Sequence, residues 1–204
     1  MKKIKLILLS FSILSIHMAS SNALAAAAVS PLAISIVKPI QFPSEDFSIT
    51  GARLSLLWGK HRDVYGLDFG LLGNITEQTF TGLSVSGLFN ITHGTTTILG
   101  LQLAGLANVN TNKTNAYGLQ LALLTNYQDA ASSIVGVQVA LANLTPHTDV
   151  YGLQVGLYNK AQSVHGLQIG IVNSTSDLHG IQIGLVNFNE KGMFGVSPIL
   201  NIGF

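Results

Sequence analysis

The sequence predicts an all-β chain, laid out as a ten-stranded antiparallel β-barrel or, alternatively, as a parallel β-solenoid built from 14–18-residue coils. Three observations predict it. One short phrase recurs eight times, apolar residues alternate within each copy, and polar turn residues separate the copies.

The phrase is clearest between Val150 and Asn187, where "GLQVGLYN", "GLQIGIVN" and "GIQIGLVN" follow one another. Earlier copies are "GLDFGLLGN", "GLSVSGLFN", "GLQLAGLAN", "GLQLALLTN" and "GVQVALAN". They start at Gly66, Gly82, Gly100, Gly118, Gly136, Gly152, Gly166 and Gly180, separated by 16, 18, 18, 18, 16, 14 and 14 residues. The Asn lies eight residues after the Gly in the first four copies and seven after it in the last four.

Each copy reads as a strand. Across Val164–Asn173, Leu167, Ile169 and Ile171 share one face, while Val164, Gly166, Gln168, Gly170 and Val172 share the other. A helix needs a period of about 3.6, and each interior glycine would cost it about 1 kcal/mol. The segments between copies ("KAQS", "STSD", "TPHTD", "YQDAASS") are turn residues. Asp68 is the one charged residue inside a repeat core between Gly66 and Glu190.

The elements before and after the repeats follow in order. Residues 1–25 carry Lys2, Lys3 and Lys5, the apolar run Leu6–Ile16 and the exit Ala23-Leu24-Ala25, the pattern of a secretory signal peptide. Residues 26–46 are a lead-in containing "KPIQFPSED", and 47–204 form a single β-repeat domain. One flanking strand, "FSITGARLSLLWG" (Phe47–Gly59), precedes the eight copies and another, "GVSPILNIGF", follows them, which gives ten strands.

Composition narrows the function. Without residues 1–25 the ten basic residues become seven against nine acidic ones, so the formal charge falls from +1 to −2. A nucleic-acid partner needs a basic field and is not expected. The chain has no cysteine, so an exported protein must hold together without disulfides. With 48% apolar and 9% charged residues, the strands are expected to meet apolar surroundings on one side.

In a barrel, Leu and Ile of the phrase face lipid, and repeat windows of ten or eleven residues suffice to span a bilayer. Gln102, Gln120, Gln138, Gln154, Gln168 and Gln182 then line the lumen, with Tyr65, Tyr117, Tyr151, His165 and His179 near the headgroups. In a solenoid, the Leu and Ile rows fill the core, the Gln and Asn rows are exposed to a protein or glycan partner, and His165 and His179 stack. A directional phrase on every strand, short connections and an almost uncharged lumen face favour the solenoid; the strand lengths and even strand count favour the barrel.

Two resemblances bear on the choice. The last ten residues alternate and end in Phe204, which resembles the C-terminal strand of bacterial outer-membrane β-barrels, with Pro198 as a departure. That resemblance implies Phe204 as an assembly signal, and as partners the lipid bilayer and the outer-membrane assembly machinery. The tandem G-[LIV]-Q-[LIV]-[GA]-[LIV]-x-N units, the opening "GARLSLLWGKHRDVYGLDFG" and the closing "PILNIGF" also resemble a broad group of bacterial surface-repeat proteins, over residues from about 31 to 204. It implies a cell-envelope location and brings no activity or site residues with it.

Catalytic chemistry finds little support. The eight phrase asparagines read as strand ends that start Asx-type turns, with a polar ladder or sugar-binding row as the alternative. The glutamines read either as a permeation lining or as a row bonded to itself. No G-x-S-x-G elbow, G-x-G-x-x-G or P-loop pattern occurs, and His61, His93 and His147 lack ligand-like spacing. The expectation is a non-enzymatic envelope protein without cofactor or metal, at the bacterial outer membrane or cell surface. It is either a structural or pore-forming barrel, or a secreted or surface-tethered solenoid that binds a partner.

Overall fold

A computed structural model describes residues 28–204, so residues 1–25, which read from the sequence as a signal peptide, lie outside the described residues. The strands are β1 (Val29–Val37), β2 (Ile40–Phe42), β3 (Ser48–Ser55), β4 (Trp58–Gly70), β5 (Gly73–Ser86), β6 (Phe89–Thr92), β7 (Thr96–Ala104) and β8 (Ala107–Asn110). They continue as β9 (Thr114–Ala122), β10 (Thr125–Gln128), β11 (Ser132–Val139), β12 (Ala142–Val155), β13 (Tyr158–Ile169), β14 (Val172–Asn189) and β15 (Val196–Gly203).

The repeats stack in parallel and in register. Gly118, Leu119 and Gln120 lie beside Gly136, Val137 and Gln138, and Gly166, Leu167 and Gln168 beside Gly180, Ile181 and Gln182. Among the described strands only β1–β2 and β14–β15 pair antiparallel. The fold is therefore a parallel β-solenoid of about ten turns, and the ten-stranded antiparallel barrel is overturned. One copy is one circuit of the coil, so the next copy begins beside it pointing the same way. Like residues then meet like residues at every rung.

Each coil has two arms. The first carries the Gly-Leu-Gln-Ile part of the phrase; the second carries the Asn. Strands such as β13 run from the second arm of one coil into the first arm of the next. The phrase glycine takes φ between 100° and 149° in all eight copies, in the middle of the strand, where an L side chain rarely sits. A Cβ on Gly136 would also run into the carbonyl oxygen of Gly118 one coil earlier. Glycine recurs at this position for both reasons, except at Gly100, where an added Cβ would meet open space and only the φ applies.

The core reverses the expectation for a solenoid. Facing inward are an apolar row (Ile49, Val64, Phe80, Ile98, Ile134, Val150), the Gln row, a row of small residues and the Asn row. The Leu and Ile rows of the phrase face outward: Leu157 is 52% exposed and Leu185 68%, whereas Gln182 is 0% exposed. Amides can occupy the interior because each finds its partner one rung away, and a satisfied buried amide escapes the desolvation penalty of an orphan.

Both ends are closed by the flanking segments. β1 pairs in parallel with β3, Leu32 beside Ala52 and Ile34 beside Leu54. Much of the 26–46 lead-in thus belongs to the solenoid as its first rung, with β2 folded back on it. At the other end β15 runs antiparallel to β14 and forms an edge, and Pro198 falls where the pairing register shifts between Gly184 and Asn187. Proline and an irregular edge both discourage further strand addition. Phe204 follows β15, is 102% exposed and closes no barrel.

Candidate functional site

The sequence singled out the glutamines, and the structure brings them together as a buried ladder, neither a lumen lining nor an exposed row. Gln120 Nε2–H donates to Gln102 Oε1 at 2.9 Å, and Gln138, Gln154, Gln168 and Gln182 each donate to the preceding glutamine at 2.7 Å. Asn201 of β15 ends the row by donating to Gln182 Oε1 at 3.0 Å.

The asparagines form a second ladder rather than Asx turns. From Asn74 to Asn187 each Nδ2–H donates to the next asparagine's Oδ1, at 2.8–3.1 Å. The same amide group reaches a backbone carbonyl of the following coil; Asn159, for example, donates to Ile169 O at 2.9 Å. Asparagine is long enough to bridge the two arms near the corner and short enough to stay in register. The ladders run in opposite senses: glutamines donate toward the N-terminus and asparagines toward the C-terminus, so their amide dipoles oppose one another.

At the N-terminal end the Gln row continues as ions. Arg53 pairs in register with Asp68, and Asp68 with Ser84. Arg53 Nε and Nη2 each donate to the Asp68 carboxylate at 2.7 Å, with side chains 0% and 2% exposed, and Nη1 donates to Ile75 O. His61 is buried nearby, its Nε2 3.3 Å from Pro43 O. Burial, reinforced by the Arg53 charge, pushes the His61 pKa down to about 4. Burial alone would push the Asp63 carboxyl up, but hydrogen bonds from Ser48, Arg62 and Thr79 outweigh it and hold it below its usual value. Neither Arg53 nor His61 was singled out as a partner in a buried cluster from the sequence, because the contacts join different coils.

Outside, the coil is strongly two-sided. From the Leu/Ile position of the phrase to the corner, outward positions from β1 to β15 are aliphatic or aromatic, with Gly87 and Gly105 the exceptions; one row before it Thr81 stands beside Tyr65, and one row further out lie Asn115, Ser133, Asp149, Ser163 and Asp177. Ile36, Leu56, Leu71, Leu123, Leu141 and Leu157 typify the corner row. None of the sixteen charged residues among the described ones lies on this face. They are buried, belong to the N-terminal cap, or lie beyond the Tyr/His row and on the second arm, in pairs such as Lys60–Glu77 and Lys191–Asp177. Two open apolar grooves of about 590 and 420 Å³ run along this face, floored by small residues such as Ser55 and Gly70 in one and Ala140 and Gly156 in the other.

Aromatic side chains mark the margins. Tyr151, His165 and His179 stack with ring centroids 4.6 Å apart, as expected for a solenoid, and Tyr65 and Tyr117 lie on the same outward row. Beyond the corner, Trp58, Phe89 and Tyr158 face outward on the second arm. His179 Nδ1 is 3.7 Å from Asp177 Oδ1, whose carboxyl is held low by a hydrogen bond from Lys191. Among the described residues no group of three or more His, Cys, Asp and Glu side chains could hold a metal ion.

Comparisons with family models, curated proteins and solved structures find no match to this chain.

Proposed function

We propose that this protein is an exported, non-enzymatic scaffold of the bacterial cell surface, a closed rod that binds a partner through its exterior. One observation carries the reading. The polar groups of the repeat face inward and are engaged with one another, which leaves the two-sided outer surface as the part available for recognition. The signal-like segment 1–25 and the resemblance to bacterial surface-repeat proteins support the location. The resemblance of Phe204 to a barrel assembly signal loses its basis, because β15 is a solenoid edge.

Cell fractionation with N-terminal sequencing tests this reading. The chain should be recovered outside the cytoplasm, beginning just after Ala25. Recovery in the cytoplasm with Met1 retained would refute it.

A further inference from the structure

We infer that the outward Leu/Ile face of the first arm is a lipid-docking surface, on which the solenoid lies flat upon a bilayer leaflet without crossing it. The inference rests on the proposed exterior-binding role and names the partner. Eleven strands from β1 to β15 contribute rungs to the face. At about 4.8 Å per rung and 3.3 Å per residue, the strip measures roughly 48 by 15 Å, about 700 Å² in projection. Monomeric soluble proteins seldom expose a largest patch beyond about 300–600 Å².

Three features select lipid over a protein partner or a second copy. First, the Leu, Ile and Val rows between the two margins offer no hydrogen-bonding side chain, whereas protein interfaces carry about one hydrogen bond per 100–200 Å² to set register. A fluid hydrocarbon needs no register. Second, no charged side chain lies among the Leu, Ile and Val rows of the strip, the nearest being Asp149 and Asp177 beyond the Tyr/His row, which keeps ions out of the acyl region. Third, amphipathic rings flank the strip: Tyr117, Tyr151, His165 and His179 on one margin, Trp58 and Tyr158 on the other. Such rings place an apolar body in the interface and a polar edge in water. The axial grooves between the Leu rows are open to acyl chains.

The far side mixes charges of both signs, so the attraction is apolar rather than electrostatic. Binding should be indifferent to headgroup charge and to salt. Trp58 is the only tryptophan of the chain and sits at the margin, where its emission reports contact directly.

The test uses the full chain as recovered from producing cells, freed of detergent, with vesicles of phosphatidylcholine alone or mixed with phosphatidylglycerol. The chain should sediment with both vesicle types with affinities within about twofold, and Trp58 emission should shift to the blue. Leu141→Lys with Leu157→Glu places an opposite-charge pair on neighbouring coils of the exposed corner row. It should weaken vesicle binding at least tenfold with an unchanged circular dichroism spectrum, while Lys160→Gln on the polar side should leave binding as it was. A chain that stays in the supernatant with unshifted Trp58 emission overturns the inference. So does a lipid-free dimer that the Leu141/Leu157 pair dissociates while vesicles bind neither form, which would assign the face to a second copy. Either failure leaves the export test untouched.

Discussion

Gln168 lies one coil beyond Gln154 and donates its amide N–H to that residue's side-chain oxygen at 2.7 Å, both side chains being fully buried. Replacing Gln154 with leucine orphans the Gln168 donor and the Gln138 acceptor, and should cost about 2–6 kcal/mol, at about 1–3 kcal/mol per stranded group. Gln154→Leu with Gln168→Leu again strands two groups, Gln138 Oε1 and one Nε2 hydrogen of Gln182. The double variant should therefore unfold at nearly the same denaturant midpoint as the single one. Additive losses in urea titrations would mean that the ladder bonds act independently.

Gly136 offers a backbone test. With φ at 143° and the Gly118 carbonyl where a Cβ would stand, Gly136→Ala should destabilise by at least about 2 kcal/mol. Gly195→Ala, at a position with open space around the added carbon, should stay within about 0.5 kcal/mol of the parent. Thermal melts of the two variants decide whether the glycine row is a steric requirement.

The buried Arg53–Asp68 pair should behave as a unit. Arg53→Met leaves a buried carboxylate facing no cation and should cost about 3–5 kcal/mol. Adding Asp68→Leu removes that charge and should recover most of the loss, since apolar replacement of a whole buried pair is often close to neutral. A double variant as unstable as the single one would show that the ions also organise Ser84 and Thr76, which they contact.

His61 makes stability depend on pH. Its pKa is about 4 in the folded chain against 6.5 as the ordinary value, so below pH 6.5 the unfolded chain takes up a proton that the folded chain refuses. The stability contributed by the neutral imidazole is complete above pH 6.5 and declines as pH falls toward 4, by about 3 kcal/mol in all. Melting temperatures of His61→Gln should be flatter than those of the parent across this window. Parallel profiles would place the pH response elsewhere.

Much of the fold was legible in the sequence. The alternation around Leu167, Gln168 and Ile169 gave the strands and showed which residues share a face, and a directional phrase on every strand pointed to parallel stacking. Which face is inside was not legible. Alternation is symmetric between inward and outward, and the usual preference for buried aliphatics favours the wrong face here. The answer depends on whether each amide meets another at hydrogen-bond distance across 14–18 residues, and that is a property of register between coils.

The first rung escaped notice for a different reason. Pro39 and Pro43 interrupt the alternation begun by Leu32, Ile34 and Ile36, so the segment read as a lead-in. Its partner Ala52 lies twenty residues further on, beyond the turn. Arg53 and His61 were hidden likewise, since each acquires its neighbours from another coil. The two-sided exterior is a sum over all rungs, and a single phrase shows only a slice of it.

Because every copy spans one full circuit and bonds its neighbours through the same asparagine amide, the gene can gain or lose whole glutamine-bearing copies by unequal recombination without disturbing the cross-section. Each event would lengthen or shorten the rod by one strand spacing, about 4.8 Å. The oily strip would grow in step, while the closures built by β1 and β15 stay as they are. Reach along a surface thus becomes a heritable quantity that evolves in integer increments.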